Sequence, residues 1–232
     1  MRRLLASALL VLGLVGGGLP GASADTSRDG PSPHRASDLL SVRWSQWVFG
    51  VPVDEEGNHP LTSATLDCSY GQTGRVWFLT GLTSDEGSVA RMCTVKAGTA
   101  LFFPIINTTY VGFAGDPPEQ RTAAFCYSQV FGRGDVERFT VSASIDGHAL
   151  SGLDRFYGVS PIFSVQLPAE DNILGATLED LGGSFTLYPS CNAGFFVYVP
   201  PLRVGVHTLH WAGLDEETGF AIDNTYTVTV VR

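Results

Sequence analysis

The sequence predicts a mainly β protein, an antiparallel two-sheet sandwich of jelly-roll type with one or two short helices. Eight short segments rich in β-branched and aromatic residues recur along the chain and are bounded by Gly, Pro, Asn and Asp. Neither a repeat period nor a linker divides residues 37–232, so we assign these strands to a single domain. Four cysteines behind an export signal predict covalent cross-links.

Residues 1–24 carry the pattern of a signal peptide. A basic start and an apolar stretch lead to the small-residue cleavage site Ala22-Ser23-Ala24. No later segment reaches the roughly 18 apolar residues that a membrane helix needs. We therefore expect a secreted, extracellular protein without a membrane span after cleavage. Residues 25–36 are polar and rich in Pro and Gly, which predicts a disordered lead-in.

The first helical pattern begins at Ser37, an N-cap candidate, and ends at Gly50. Its apolar residues recur at helical spacing: Leu40, Trp44, Trp47 and Val48. Such a stripe is typical of a helix docked on a sheet. The alternative is an exposed pair of tryptophans that stacks on a sugar or contacts a partner protein.

A second helix is predicted after residue 116. Asp116 is a suitable N-cap, Pro117 fits the first turn, and Glu119 lies three residues after the cap. Apolar residues up to Phe131 then share one face, and Gly132 supplies the stop signal.

The strands are predicted from β-propensity and turn residues. The eight candidates are residues 75–80, 99–106, 138–145, 161–167, 184–188, 194–199, 206–211 and 225–231. Asp146-Gly147 follows the third of them and predicts a two-residue hairpin turn.

The cysteines are Cys68, Cys93, Cys126 and Cys191. An even number in an exported chain predicts two disulfides, for which three pairings are possible. We favour Cys68–Cys93 and Cys126–Cys191, because the first pair brackets a candidate hairpin. A metal site is the alternative, but the chain contains no C-x-x-C spacing.

The segment GVHTLHW holds two histidines three positions apart. Side chains alternate between the faces of a strand, so His207 shares a face with Leu209 and Trp211, while His210 points to the other side. The two cannot bind one ion from the same strand. We expect His207 at the core or its rim, as a structural residue or as a catalytic candidate.

Charge and motifs exclude several functions. A net charge of −9 argues against nucleic-acid binding. The nucleophile elbow, the zinc-protease helix motif and the phosphate-binding loop are missing from the sequence. The acids cluster in predicted turns and none lies in a candidate strand, so a sheet-borne pair of glycosidase carboxylates is not expected. We predict no cofactor, with calcium at residues 169–172 as the alternative.

Two blocks of sequence resemble a family of exported bacterial proteins of unassigned function. The first contains VWFLTG and FFPIIN, and the second contains SASIDG, SPIFSVQLP and GVHTLHW. The resemblance implies an exported β-sandwich and points to polar or aromatic positions within or near these blocks. The binding candidates are Gln72, Trp77, Asn107, Arg155 and Tyr157, and His207 is the catalytic candidate.

Three functions remain open at this point. Export, fold and aromatic content favour a protein that binds an extracellular ligand, a glycan or another envelope component. The first alternative is an extracellular hydrolase with a dispersed site of His207 and loop carboxylates. The second is an inhibitor or other partner-binding protein.

Overall fold

Two five-stranded sheets face each other in the computed structural model, which describes residues 33–82 and 88–232. The helices and strands are α1 (Pro33–Gly50), β1 (Val76–Phe78), β2 (Ser88–Lys96), β3 (Ala100–Val111), α2 (Ala123–Ser128), β4 (Phe139–Ile145), β5 (His148–Ala149), β6 (Tyr157–Val159), β7 (Phe163–Gln166), β8 (Thr186–Val199), β9 (Gly205–Asp215) and β10 (Ala221–Val231). Short 3₁₀ helices lie at Pro118–Gln120, Arg133–Arg138 and Leu153–Phe156. The predicted signal peptide and most of the predicted lead-in lie outside the described residues.

The strand order defines two layers. One sheet has the order β1-β3-β8-β6, with β7 also paired to β8, and we call it the helix-covered sheet. The other has the order β2-β10-β9-β4-β5, and we call it the open sheet. The predicted mainly β, two-sheet sandwich is therefore confirmed.

Both sheets are mixed rather than wholly antiparallel. β1 runs parallel to β3, and β2 runs parallel to β10. The chain passes from β1 into the other sheet before it returns as β3, and β2 and β10 lie far apart in sequence. No tight turn joins either pair, so nothing in the connection imposes the antiparallel direction that a hairpin requires.

β2 was absent from the predicted strands. Its inward residues are Val89, Arg91, Cys93 and Val95. An arginine and a cysteine on the inward side hide the usual alternation of apolar and polar residues. Conversely, the predicted strands 184–188 and 194–199 form the single strand β8, because the residues between them continue the pairing with β3.

The outer face of the helix-covered sheet is occupied by α1. Trp44 is 4% exposed, packs with Phe102 and Phe196, and donates from Nε1 to the Leu79 carbonyl at 2.9 Å. This confirms the docked apolar stripe and makes the exposed-tryptophan alternative wrong for Trp44. The helix begins at Pro33, four residues before the predicted cap Ser37.

A buried asparagine fixes α1 on the sheet. Asn192 of β8 donates from Nδ2 to the Ser45 hydroxyl at 2.8 Å and to the Ser41 carbonyl at 3.0 Å. All three residues are fully buried. These hydrogen bonds set the position of α1 along the sheet, which apolar contacts alone leave free to slide.

The second predicted helix is broken. The hydroxyl of Thr122, not Asp116, caps α2 by accepting from Phe125 N at 3.1 Å. Asp116 instead accepts from Phe113 N at 2.7 Å and stabilises the preceding turn. The chain therefore forms a 3₁₀ turn at Pro118–Gln120 and restarts as α2.

The two disulfides join Cys68 to Cys93 and Cys126 to Cys191, which is the favoured pairing. The first disulfide ties β2 to the loop between α1 and β1, and the second ties α2 to β8. The predicted hairpin also forms, with positive φ at both Asp146 (52°) and Gly147 (76°).

The core between the sheets is aromatic. Phe103 of β3 stacks on Trp211 of β9 with centroids 4.1 Å apart, and Trp211 stacks on Tyr226 of β10 at 5.2 Å. The guanidinium of Arg91 lies 5.8 Å from the Tyr226 ring. Among the described residues, no helix is long and apolar enough to cross a membrane.

Gly194 of β8 tests how tightly the helix-covered sheet is packed. A Cβ there would lie 2.4 Å from the Ile106 carbonyl oxygen and 2.6 Å from Asn107 Cα, both backbone atoms. We expect G194A to lower the free energy of unfolding by about 1–3 kcal/mol, because backbone cannot yield as a side chain does. G134A is the control, since a Cβ at Gly134 meets nothing within 4 Å, and it should change stability by less than about 0.5 kcal/mol. Equal denaturant midpoints for the two variants would contradict the packing described.

Candidate functional site

Within residues 33–82 and 88–232, no α-helix packs over the outer face of the open sheet. Because side chains alternate, residues paired across the strands share this face. Its hydroxyl-bearing residues are Thr94, Thr140, Ser142, Ser144, Thr208, Thr225, Thr227 and Thr229. We call this surface the threonine face. Three of its residues come from one T-x-T-x-T segment of β10, whose inward partners Tyr226 and Val228 are buried.

The threonine face carries little charge. Its outward positions on β2 (from residue 90), β4, β9 and β10 include one acid, Asp223, and one lysine, Lys96. The chain as a whole contains 23 acids, so the acidic surface lies elsewhere. Depletion of charge at the centre of a surface is typical of the cores of binding interfaces.

A depression of about 460 Å³ lies at one end of this face. Its lining residues are Thr140, Ser142, Ala212, Gly213, Leu214, Ala221, Ile222 and Asp223. Six of them form two rows across three strands: Thr140, Leu214 and Ala221, then Ser142, Ala212 and Asp223. The small side chains of the two alanines leave the hollow, and hydroxyl and carboxylate groups surround it.

One carboxylate, Asp223, lines the depression, and a second, Glu216, contacts the lining residue Thr140. Asp223 accepts a hydrogen bond from His210, with Oδ1 2.9 Å from Nε2, and its side chain is 51% exposed. Glu216 accepts from the Thr140 hydroxyl at 2.7 Å. Both acids retain the capacity to accept further hydrogen bonds from a ligand.

Ser144, His210 and Asp223 have the residue types of a hydrolytic triad. Ser144 lies directly opposite His210 in the β4–β9 pair. However, β9 and β10 are each paired on both sides, so their backbone N–H groups are used in the sheet. Acyl transfer needs donors for the developing oxyanion, and these two strands offer none from the backbone.

His207 lies at the rim of the core, on the inward side with Leu209 and Trp211, as its strand parity predicts. Its Nδ1 is 2.8 Å from Asp146 Oδ2, and its Nε2 is 2.8 Å from the Arg203 carbonyl. Both partners only accept hydrogen bonds, so satisfying both requires the doubly protonated imidazolium. The hydrogen bond with Asp146 is the main cause that raises the pKa of His207.

This placement bears on the hydrolase hypothesis. The expected carboxylate neighbour of His207 is present as Asp146, but His207 does not line the depression. Both ring nitrogens are already hydrogen-bonded within the protein, so neither is available to a substrate. The catalytic role of His207 stays a prediction that this arrangement does not favour.

Two of the binding candidates lie at β1. Gln72 donates to the Phe78 carbonyl at 2.6 Å and accepts from Phe78 N at 2.9 Å, so its amide replaces a neighbouring strand. Trp77 is half-buried and packs against the main core.

The other three candidates are dispersed. Asn107 donates to the Thr109 hydroxyl at 3.2 Å. Arg155 is exposed and bonds only weakly to local carbonyls. Tyr157 is buried and donates to the Phe131 carbonyl at 2.6 Å. None of the five lines the depression, and their binding roles remain predictions.

The depression was missed because its signal is subtle. Asp223 lies in the first residues of β10, before the predicted strand at 225–231, so the sequence did not place it on a sheet face. The usable signal was the row of hydroxyls in Thr225, Thr227 and Thr229, and the small outward residues Ala212 and Ala221.

Metal ligands are not clustered in the described part of the chain. Residues 33–82 and 88–232 contain no group of three or more His, Cys, Asp or Glu side chains that could hold an ion. At the predicted calcium segment, Asn172 is buried and uses its amide to bind both the N–H and the carbonyl of Ala176. Burial lowers the pKa of His59 to about 4, so this histidine is neutral near pH 7.

Comparison with known proteins adds little. Neither a protein-family model nor a curated protein matches the chain. A chain in the solved structure of PbICP-C in complex with falcipain-2 is similar at 10% sequence identity, with a TM-score of 0.27. The match covers 68% of this chain and 100% of that one. A similarity at this level does not bear on fold or function.

The His207 clamp predicts a pH-dependent contribution to stability. A folded pKa above the unfolded value of about 6.5 means that the contribution is complete below about pH 6.5 and is lost as the pH rises through the folded pKa. We expect H207A to lose more unfolding free energy at about pH 5.5 than at about pH 9. An NMR titration that places the His207 pKa below about 6.5 would contradict the clamp.

Proposed function

We propose that this protein is exported, is not a catalyst, and binds an extracellular glycan or another envelope component on the threonine face. One observation carries the proposal: in an acidic chain, the described residues leave one broad sheet face uncovered, rich in hydroxyls and almost free of charge. The two disulfides are consistent with an oxidising, extracellular compartment.

The loss of hydration on binding favours an uncharged face as the binding surface. Burying a charged side chain against a ligand costs much more free energy than burying a threonine, whose hydroxyl can exchange water for a ligand hydroxyl. On this face Thr227 lies opposite Thr208, and Thr229 lies opposite Thr94. Neighbouring strands are about 4.8 Å apart, and alternate residues about 6.8 Å. On the other side of Thr227 lies Met92, and on the other side of Thr229 lies Val206, both exposed. The hydroxyls are therefore interspersed with apolar side chains, and such a mixed surface suits an extended ligand that offers both hydroxyls and C–H faces.

The competing functions have weaker support. A hydrolase that uses His207 lacks a free ring nitrogen, as described above. An inhibitor that binds its partner through Trp44 and Trp47 would need both rings exposed. Trp44 is buried, and Trp47 is half-buried and donates from Nε1 to the Tyr70 carbonyl.

A charge placed in the middle of the threonine face tests the proposal. T227K introduces an ammonium group that must lose water when the ligand binds. In a pull-down on insoluble polysaccharides and purified cell envelopes, we expect it to retain at least tenfold less protein than the wild type. T65K, an equal change at an exposed loop threonine, is the control and should bind normally.

Two results would overturn the proposal. One is a folded wild-type protein that none of the polysaccharides or envelope preparations retains. The other is a T227K variant with an unchanged melting temperature and undiminished retention, which would place binding on another surface.

A further inference from the structure

We infer that the depression at the end of the threonine face is the subsite for a single uncharged sugar unit of the glycan. This inference rests on the proposed function and names the chemical class of its ligand. The depression lies on strands β4, β9 and β10, and its lining residues are those given above.

The size and floor of the depression fit one sugar ring. A volume of about 460 Å³ falls in the range of roughly 300–1,000 Å³ found for small-molecule sites. Ala212, Ala221 and Leu214 form an apolar floor. Such a floor suits the C–H face of a sugar ring, since contact there removes apolar surface from water.

The rim supplies hydrogen bonds suited to sugar hydroxyls. Ser142 can donate or accept, Thr140 can accept because its proton is donated to Glu216, and Asp223 accepts only. Hydrogen bonds to an ionised carboxylate are stronger than those between neutral groups. Asp223 is therefore the group we expect to contribute most to recognition.

Charge excludes acidic sugars. Asp223 lines the hollow, Glu216 contacts its wall through the Thr140 hydroxyl, and no lysine or arginine lines it. A uronic acid or a phosphate group would meet the like charge of Asp223 without a cationic partner. The ligand unit is consequently neutral.

His210 acts as a positioning residue. Its contact with Asp223 Oδ1 holds the carboxylate on the β10 side of the hollow. His210 itself does not line the depression. Its removal should weaken binding through Asp223, and an amide side chain that donates to the same oxygen should restore it.

The test compares a soluble neutral glucan with alginate, a polyanion, by calorimetry and affinity electrophoresis. We expect the wild-type protein to bind the neutral polymer and not alginate. A212F fills the hollow and should weaken binding at least tenfold. A124F, the same change at an exposed position of α2, should leave it unchanged.

Substitutions at the rim test the roles of individual residues. D223N should weaken binding of the neutral glucan about tenfold, the loss expected for one charge-assisted hydrogen bond. H210A should weaken it by less, and H210Q should restore it, whereas a merely structural role for His210 would not predict rescue by glutamine. Melting temperatures within a few degrees of wild type confirm that each variant is folded.

The outcomes separate this inference from the proposed function. Tight binding of alginate, or undiminished glucan binding by folded A212F and D223N, would overturn the subsite while leaving binding on the threonine face intact. If T227K also bound normally, the proposed function would fail with it. A wild-type protein that bound neither polymer but was retained by envelopes through Thr227 would refute the neutral-sugar ligand alone.

Discussion

The structure depends on a stack of rings that crosses the interface between the two sheets. Phe103 belongs to the helix-covered sheet, Trp211 and Tyr226 belong to the open sheet, and the three rings lie nearly parallel. The stack ends at Arg91, which is 5% exposed and donates to the carbonyls of Thr80, Pro60 and Ser63 and to the Tyr226 hydroxyl. A buried cation needs hydrogen-bond partners, and the loop after α1 supplies two of them, the carbonyls of Pro60 and Ser63, to the terminal guanidinium nitrogens, whereas Nε has none among the residues that the structure describes. The Cys68–Cys93 bridge holds that loop against β2.

The stack also fixes which side chains of each sheet face the core and which face outward. A shift of one residue would reverse every side chain, so once Trp211 and Tyr226 are inside, Thr225 and Thr227 must be outside. On the helix-covered sheet the corresponding outward positions include Phe102 and Phe196, which require a cover and receive α1. The open sheet places mainly threonine, serine and alanine outward instead, with Met92, Val206 and Val231 exposed among them. Hydroxyl-bearing residues separate these apolar side chains, and the face stays open to water without a covering helix in the described part of the chain.

The sequence predicted features that depend on local alternation and turn chemistry, and failed where tertiary contacts override them. The opposite faces of His207 and His210 and the turn at Asp146 follow from such local rules. The favoured disulfide pairing is correct, although β1 pairs with β3 and not in the expected hairpin between Cys68 and Cys93. β2 was missed because Arg91 points inward, which makes sense only once distant carbonyls from residues 60–80 gather around it. The parallel pairings and the depression depend on which strands become neighbours, and no single segment carries that information.

The available chemistry of the molecule is decided by unused hydrogen-bonding capacity rather than by residue type. Asp215 ends β9 only 3% exposed, where Arg138 and Thr218 already occupy its oxygens. Asp223 lies in the adjacent strand, half-exposed, with His210 as its one side-chain partner among the described residues. The same contrast separates His207, with both ring nitrogens engaged, from His210, whose Nε2 alone contacts Asp223. A ligand gains free energy only from groups that are not already satisfied. Asp215 and His207 are therefore structural residues, whereas Asp223 and His210 can still contact a ligand.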